Sequence, residues 1–519
     1  MKLPSFSSAS FIRFLVVSSA LSVCGCTTDG TPTATRDALK ESREILQLPS
    51  DWQNRPGAVP AKKVAQEGEP INRSADDPPL PGKAKSDRAQ LATWWARFND
   101  PALENIINAA LLNSPDLRAM LSRIEEARAR RGAERSNLLP TVNAGVEARQ
   151  NYQRTHRTTD GSPHTTTSGD LYSAGLNASW EVDLFGKYRA AAAATHAEFL
   201  QSEENYRAAQ ISLVTEIAET YVAMRSAEVR REVAERGVET RTGVAQIVKW
   251  REAAGMGDSF DLQQAESQLE QVRAAIPVLE QDILQSRARL AILSGKTLGA
   301  VNELLLTAAA GQTASRVPVA PVDVRVGVPA AVLRQRPDIR SAEHAVLAAA
   351  YRFKSAERER LPTLNLSGSI GIEALKSGNL FSPDATVGSI LAGLTAPLFD
   401  GWRISHNIEI HNEIQKQALL NYESAVLTAL GEVEDALAAV HHSGKQLEFL
   451  KNATNKASDA LKLAELKYKT GRADFAHVLE TQRTQLSLEE QAIATAAAQT
   501  TAQIHLYKVL GGGWVGERE

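Results

Sequence analysis

Cysteine is almost missing from this 519-residue chain: there are two, Cys24 and Cys26, both near the N-terminus. No disulfide framework can brace the body of the protein. Aromatic residues make up only 5%. What replaces them is text rich in Ala, Glu, Gln and Arg, which is helix-forming composition. Neither sign of charge is in excess. The 58 Lys and Arg against 61 Asp and Glu leave a net charge of −3, so nothing points to nucleic acid. Proline, the residue that breaks helices, is absent from Tyr188 to Ile276 and again from Leu398 to the C-terminus.

What is present is stated twice. Ser114-Pro115-Asp116-Leu117-Arg118 is followed, 25 residues after its proline, by Leu139-Pro140-Thr141-Val142-Asn143. Arg336-Pro337-Asp338-Ile339-Arg340 is followed at the same distance by Leu361-Pro362-Thr363-Leu364-Asn365, with an offset of 222 between the copies. Further on the offset is 216: Asn205-Tyr206, Glu216, Glu219, Gly255 and Asp258 correspond to Asn421-Tyr422, Glu432, Asp435, Gly471 and Asp474. Length alone suggests about three domains. The duplication overrides that prior and divides the body into two repeats, residues 90–315 and 316–515.

The N-terminus reads as an export signal over residues 1–25. Lys2 and Arg13 precede a short apolar run, Phe14 to Leu21. The run is too short for a spanning helix, which needs about 20 apolar residues. It ends at Val23-Cys24-Gly25-Cys26-Thr27, which resembles a lipoprotein box: an apolar residue, one position, a small residue, then cysteine. Cys26 fits better than Cys24 because Gly25 is small and Val23 is not. Lipidation at Cys26 would leave the mature chain without a free thiol. Thr27, in place of the Asp of lipoproteins retained at the inner membrane, directs it to the outer membrane. Residues 26–88 are rich in Pro, Asp, Lys and Thr without a sustained period, and read as an extended lipidated segment.

Each repeat carries helix and strand signals in the same order. Leu103, Ile106, Ile107, Ala110 and Leu111 keep helical spacing after the start signal Asp100-Pro101. Leu117, Leu121, Ile124 and Ala127 mark a second helix, answered by Ile339, Ala342, Ala345 and Ala349. Period-two alternation follows in Val142–Ala148 and Tyr172–Leu184, and again in Leu364–Ile372 and, more weakly, 386–397. Polar loops, Arg154 to Asp170 and Lys376 to Ala385, join the strands of each pair. A strand of about ten residues with one apolar and one polar face has the length and pattern of a transmembrane β-strand. Trp180, Phe185, Phe399 and Trp402 stand where an interfacial aromatic girdle belongs. A single helix over 187–253, a break near Gly255 and a return from Ser259 complete the repeat, with Gly471 as the second break. Such a helix reaches on the order of 100 Å.

Four strands cannot close a barrel, and an open edge in lipid leaves backbone groups unpaired. A dimer would supply eight strands and a filled interior, a trimer twelve and a wider lumen. The chain resembles the outer-membrane efflux proteins, the TolC-like outer-membrane factors, and most closely their lipoprotein branch. The matching text is Trp94-Trp95 with Phe98-Asn99-Asp100-Pro101, Ser114 to Arg118, Leu139-Pro140, Asp183-Leu184-Phe185-Gly186, Arg336 to Arg340 and Tyr468-Lys469-Thr470-Gly471, covering about residues 90–515. The resemblance implies a mainly α fold with a β-barrel portion: a long antiparallel helical tunnel plus four transmembrane strands per chain, in a homotrimer with a twelve-stranded barrel. It also implies residence in a Gram-negative outer membrane, a periplasmic adaptor and an inner-membrane efflux pump as partners, and passive conduction of what they deliver.

The family narrows its tunnel at the periplasmic tip, often with acidic rings. Ser259-Phe260-Asp261-Leu262-Gln263-Gln264-Ala265 and Val478-Leu479-Glu480-Thr481-Gln482-Arg483 match the two turn regions, which makes Asp261, Glu480 and Arg483 the gate candidates. Relatives usually carry Asp where this chain has Glu480. No enzyme chemistry, cofactor or metal site emerges. His441-His442 are adjacent on a helix and do not share a face, Ser294-Gly295-Lys296 lacks phosphate-loop spacing, and Gly511-Gly512-Gly513 precedes no helix. Two function classes therefore stand: an export duct, and a structural or adhesive envelope lipoprotein that uses long helices as a spacer. The paired strands favour the duct, since a spacer needs no lumen. Mass spectrometry of the mature N-terminus is expected to find lipid on Cys26, and Cys26→Ser is expected to remove the lipid without preventing insertion. An unmodified Cys26 in protein from intact cells would contradict the lipoprotein reading.

Overall fold

The computed structural model describes residues 91–155, 165–309, 316–319, 332–470 and 472–514. The export signal, Cys26, the segment 26–88, most of the first strand-connecting loop and Gly471 lie outside them. The described elements run in the order α1 (Pro101–Asn113), α2 (Pro115–Ser136), β1 (Thr141–Thr155), β2 (Thr165–Val182), α3 (Lys187–Ala253), α4 (Ser259–Ser294), α5 (Leu298–Ala309), α6 (Pro337–Arg358), β3 (Thr363–Ala374), β4 (Thr386–Thr395), α7 (Arg403–Lys469) and α8 (Phe475–Val509). The succession α2-β1-β2-α3-α4 thus recurs as α6-β3-β4-α7-α8.

The long helices form where proline is absent, and α3 and α7 each run for 67 residues. Their ends are set by local chemistry. Gly255 takes φ 68°, a left-handed conformation that glycine adopts without a Cβ penalty. Met256 N then donates to Arg251 O at 2.8 Å, a bond repeated 216 positions on, where Arg472 N donates to Lys467 O at 2.8 Å. Helix α4 starts under an Asp258 cap whose carboxylate accepts from Phe260 N. Helix α1 starts under Asp100, which accepts from the N–H groups of Ala102 and Leu103.

The strands form one antiparallel sheet in the order β1-β2-β3-β4. The first hairpin is longer than the alternation indicates. Its strands span 15 and 18 residues, so strand pairing runs into both ends of the loop expected over Arg154 to Asp170. The polar ends Gln150–Thr155 and Thr165–Asp170 keep pairing through backbone groups, which side-chain alternation does not report. In the second hairpin the expected loop is present and holds two short 3-10 turns, Ser377–Asn379 and Pro383–Ala385.

Below the sheet the helices keep the strand order. Helix α2 packs on α3, α3 on α6 and α6 on α7. Further from the sheet the order becomes α4, α3, α8, α7, because the long helices continue while α4 and α8 replace α2 and α6. Arg352 pairs with Glu198 and Arg340 with Glu204 in the near layer; Arg287 pairs with Glu228 and Arg236 with Glu489 in the far one. Leu121, expected on the buried face of α2, is exposed while Leu117 and Ile124 are buried. Helix α2 is an edge helix, and Leu121 lies outside its contact with α3.

The main core lies where the two layers meet. Trp94, Phe98, Leu103, Ile106 and Ile107 pack on Val214, Ile217, Tyr221, Leu290, Ile504 and Tyr507. Trp94 stacks on Tyr507 with ring centroids 5.2 Å apart. The Asp100 carboxylate also accepts from Tyr221 Oη at 2.8 Å, and Arg225 Nε donates to the same hydroxyl. Arg336 secures the second repeat to this belt through Asp338, Glu432 and the carbonyl of Val509.

The seam between the two hairpins depends on a glycine pair. Gly175 faces Gly371 across β2 and β3. A Cβ on Gly371 would lie 2.6 Å from Ala174 O and 2.8 Å from Gly175 Cα. Gly371→Val is expected to split the sheet at this seam, seen as faster amide hydrogen exchange along β2 and β3. Gly393→Val, where a Cβ meets no atom within 4 Å, is expected to leave that exchange unchanged. Equal behaviour of the two variants would deny the seam its role.

Candidate functional site

The register sorts every strand residue to one of two faces. Val142, Ala144, Val146 and Ala148 share a face with Tyr172, Ala174, Leu176, Ala178 and Trp180. The same face continues through Leu364, Leu366, Ile370 and Ile372 to Ile390, Ala392 and Leu394. Over these residues it is apolar on all four strands, and many of its large side chains are exposed; toward the connecting loops the same face turns polar, at Gln150, Asp170 and Thr386. The opposite face carries Asn143, Glu147 and Arg149, then Ser173, Asn177 and Ser179, then Asn365, Ser367, Ser369 and Glu373. Its polar groups bond to one another: Thr141 to Ser179 at 2.8 Å, Thr363 to Thr395 at 2.9 Å, Ser369 to Ser389 at 2.8 Å, and Arg149 to Glu147 at 2.7 Å. Val387 and Leu391 of β4 also fall on this polar face, which explains the weak alternation there.

A sheet with a broad apolar band on one face and a polar opposite face is a membrane wall, dry outside and wet inside. No helix among the described residues is long and apolar enough to cross a membrane. The outer strands β1 and β4 are paired on one side only. The residues expected in the aromatic girdle gather at the helical end of the sheet. Phe185, Phe399 and Trp402 are exposed, while Trp180 is half-buried and donates its indole N–H to Leu138 O. Trp402 takes φ 67°, a left-handed backbone that costs a non-glycine residue about 1–2 kcal/mol.

At the far end, about 100 Å away by helix rise, the two helical hairpins meet in a small cluster: Ala245, Val248, Ala265, Phe475 and Leu479, with Leu262 and Tyr468 alongside. Asp261 lies in the first turn of α4 next to Leu262, and Glu480 lies on α8 next to Leu479. The cluster therefore holds both carboxylates at the same tip. Asp261 is half-buried, while Glu480 and Arg483 are exposed. Arg483 is on the same helix as Glu480, and none of the three forms an ion pair among the described residues. At the tip itself a cation-π contact crosses between the hairpins. The Arg251 guanidinium sits over the Tyr468 ring at 4.9 Å, and that ring packs on Phe475 at 5.5 Å. Tyr468 belongs to the motif Tyr468-Lys469-Thr470-Gly471, but no spacing rule pairs it with a residue 217 positions earlier.

Charge buried elsewhere holds the helices together. Glu204 is almost fully buried in α3, and burial pushes its carboxyl above the usual range, while Arg340 and Arg207 oppose the shift. Burial likewise raises Glu219, opposed by Lys508 and His505. Among the described residues no group of three His, Cys, Asp or Glu is placed to hold a metal. His441 and His442 meet edge to face rather than converging on a point. Gly295 of Ser294-Gly295-Lys296 is the left-handed C-cap of α4, and Gly513 N bonds to Leu91 O.

Comparison with known proteins agrees with this geometry. The sequence profile described as "Outer membrane efflux protein" matches residues 106–296 and 328–512. The pyoverdine export outer membrane protein OpmQ of Pseudomonas aeruginosa is 30% identical over 446 residues, spanning 84% of this chain and 90% of that one. The toluene efflux pump outer membrane protein TtgF of Pseudomonas putida is 30% identical, spanning 81% and 85%. Among solved structures, the outer-membrane channel OprN superposes with a TM-score of 0.74 at 26% identity, covering 82% of this chain and 93% of that one. The open state of the Neisseria gonorrhoeae MtrE channel superposes at 0.72 with 26% identity, covering 90% and 96%. A two-faced sheet, paired long helical hairpins and a duplicated sequence all lead to the same assignment: this chain belongs to the outer membrane efflux protein family.

Proposed function

We infer that the chain is one third of a closed outer-membrane exit duct, passively conducting what an inner-membrane pump and a periplasmic adaptor deliver. The observation that carries this reading is the sheet: one apolar face, one polar face and two unpaired edges. In hydrocarbon an unpaired strand edge leaves N–H and C=O groups without partners, each costing several kcal/mol. The edges must meet those of other copies, β4 of one against β1 of the next. Because one edge differs from the other, the contact is head-to-tail and must close as a ring. Three copies supply twelve strands, enough for an open lumen. A spacer or adhesive rod would have no use for the polar face. The division into repeats at residues 90–315 and 316–515 and the tether at Cys26 complete this reading, the second resting on the sequence alone.

The helical layers close in the same sense. Helices α4 and α7 are the free edges of the far layer, and both expose apolar side chains. Val278 and Phe449 are 58% and 69% exposed. They stand at matching heights. Leu279 packs with Ala234, and the α8 strip around Leu488 and Glu489 touches both Arg236 of α3 and Thr454 of α7. Cysteines placed at Val278 and Phe449 are expected to cross-link between copies, in a ladder that ends at three chains on non-reducing gels. A ladder ending at two, or no cross-link in assembled protein, would overturn the trimer.

Three copies also bring three Asp261 and three Glu480 toward one axis. We propose these as the gate carboxylates, with Arg483 as a nearby counter-charge. Confined carboxylates repel one another and attract cations. Replacing both with Ala is expected to loosen the closed tip and reduce cation preference in planar-bilayer recordings. If conductance and ion selectivity stay unchanged with the oligomer intact, these residues form only a solvated face.

A further inference from the structure

The lower half of the helical hairpins has two apolar clusters, and the layer between them is polar. The tip cluster contains Ala245, Val248, Ala265, Phe475 and Leu479; the next contains Ala234, Val272 and Leu279, with Val238 and Leu486 alongside. Arg241 of α3 and Gln482 of α8 fall in the interval. They are 8% and 3% exposed. Neither makes a hydrogen bond or ion pair among the described residues: Arg241 Nε and both amide atoms of Gln482 are buried without a partner. Glu490 attracts Arg241 only at a distance, and burial lowers the guanidinium's hold on its proton. On α4, one turn toward the tip from Val272, Gln268 Oε1 is also buried and unpaired.

Such a layer is costly while dry and is relieved by water. Two backbone features lie above this layer, at successive heights. The Arg241 guanidinium packs over Gly237, where a Cβ would lie 3.3 Å from Nη1 and 3.4 Å from Val272 Cγ1. Pro277, further from the tip and beside Leu279 of the upper cluster, interrupts α4, so the carbonyl of Arg273 loses its helical partner. The second hairpin has none of these. At the 216 offset, Gly237, Arg241 and Pro277 correspond to Ala453, Ala457 and Ile493. The polar layer therefore belongs to one hairpin and to its contact with α8.

We propose that this layer is a hydration hinge: the height at which α8 parts from α3 when the tip opens, with water entering to solvate Arg241 and Gln482. The apolar cluster above stays packed as the fixed side of the hinge, and the tip cluster below moves. The proposal rests on the duct reading, and the experiment separates the two. Arg241→Met with Gln482→Leu removes the buried polar groups at nearly constant volume. In planar bilayers the double variant is expected to reduce the open occupancy of the channel roughly tenfold or more. Backbone hydrogen exchange in residues 237–248 and 475–486 is expected to slow by a similar factor, with no change above the hinge. If wild-type protein conducts and the double variant shows the same open occupancy and exchange, the hinge is overturned while the duct stands. If wild-type protein does not conduct at all, the duct reading fails, and exchange alone judges the hinge: protection in 237–248 equal to that above it overturns the hinge. Should the double variant fail to assemble, Gln482→Leu alone, which alters no charge, is read against the same outcomes.

Discussion

An unpaired strand edge in hydrocarbon is the constraint on which the rest of this molecule depends. The chain supplies four strands whose register gives one face a continuous apolar band and whose two edges remain open. In water such edges are a liability, usually blunted by charge, proline or short strands. In a bilayer they can persist only if other copies cover them. Closure then fixes the helices as well. Because α2, α3, α6 and α7 follow the order of the strands above them, closing the sheet closes the helical layer. The polar lumen in the membrane thus continues into the helical tunnel.

Duplication makes this economical, and departures from duplication mark where the halves do different work. Both hairpins end in the same backbone bond, Met256 to Arg251 and Arg472 to Lys467. Both long helices have the same length. The halves differ in how they are tied to the central core. Asp100 secures the first repeat by capping α1 and accepting from Tyr221, while Arg336 secures the second through two carboxylates and a carbonyl. They differ again below the core, where only the first hairpin carries Gly237 beneath a buried Arg241 and a proline, Pro277, further up its return helix.

The glycine pair at the centre of the sheet shows how backbone approach and side-chain pattern divide the work. Alternation decides which face of β2 and β3 is wet. The contact between the hairpins depends on the absence of side chains at Gly175 and Gly371, where even a methyl would meet a carbonyl oxygen at 2.8 and 2.6 Å. Few features in the strand text would single these two out from the other glycines.

By itself the sequence determined the duplication, the length of α3, its break at Gly255, its return at Ser259 and the two faces of the strands. These follow from local rules: proline absence, left-handed glycine, capping by aspartate, and period-two alternation. The position of Asp261 and Glu480 near the two turns was legible for the same reason, since a turn places its neighbours at a tip whatever they pack against. What only the tertiary structure decided is which separated residues meet. Arg251 and Tyr468 join hairpins more than 200 residues apart in sequence, and the unpartnered Arg241 and Gln482 share a buried height only once α3 and α8 are docked. The first hairpin also ran longer than its alternation, because backbone pairing continues through polar residues that leave no periodic mark. Local pattern fixes where each helix and strand begins, ends and turns its faces; contacts between distant segments arise from packing, which no spacing in the chain encodes.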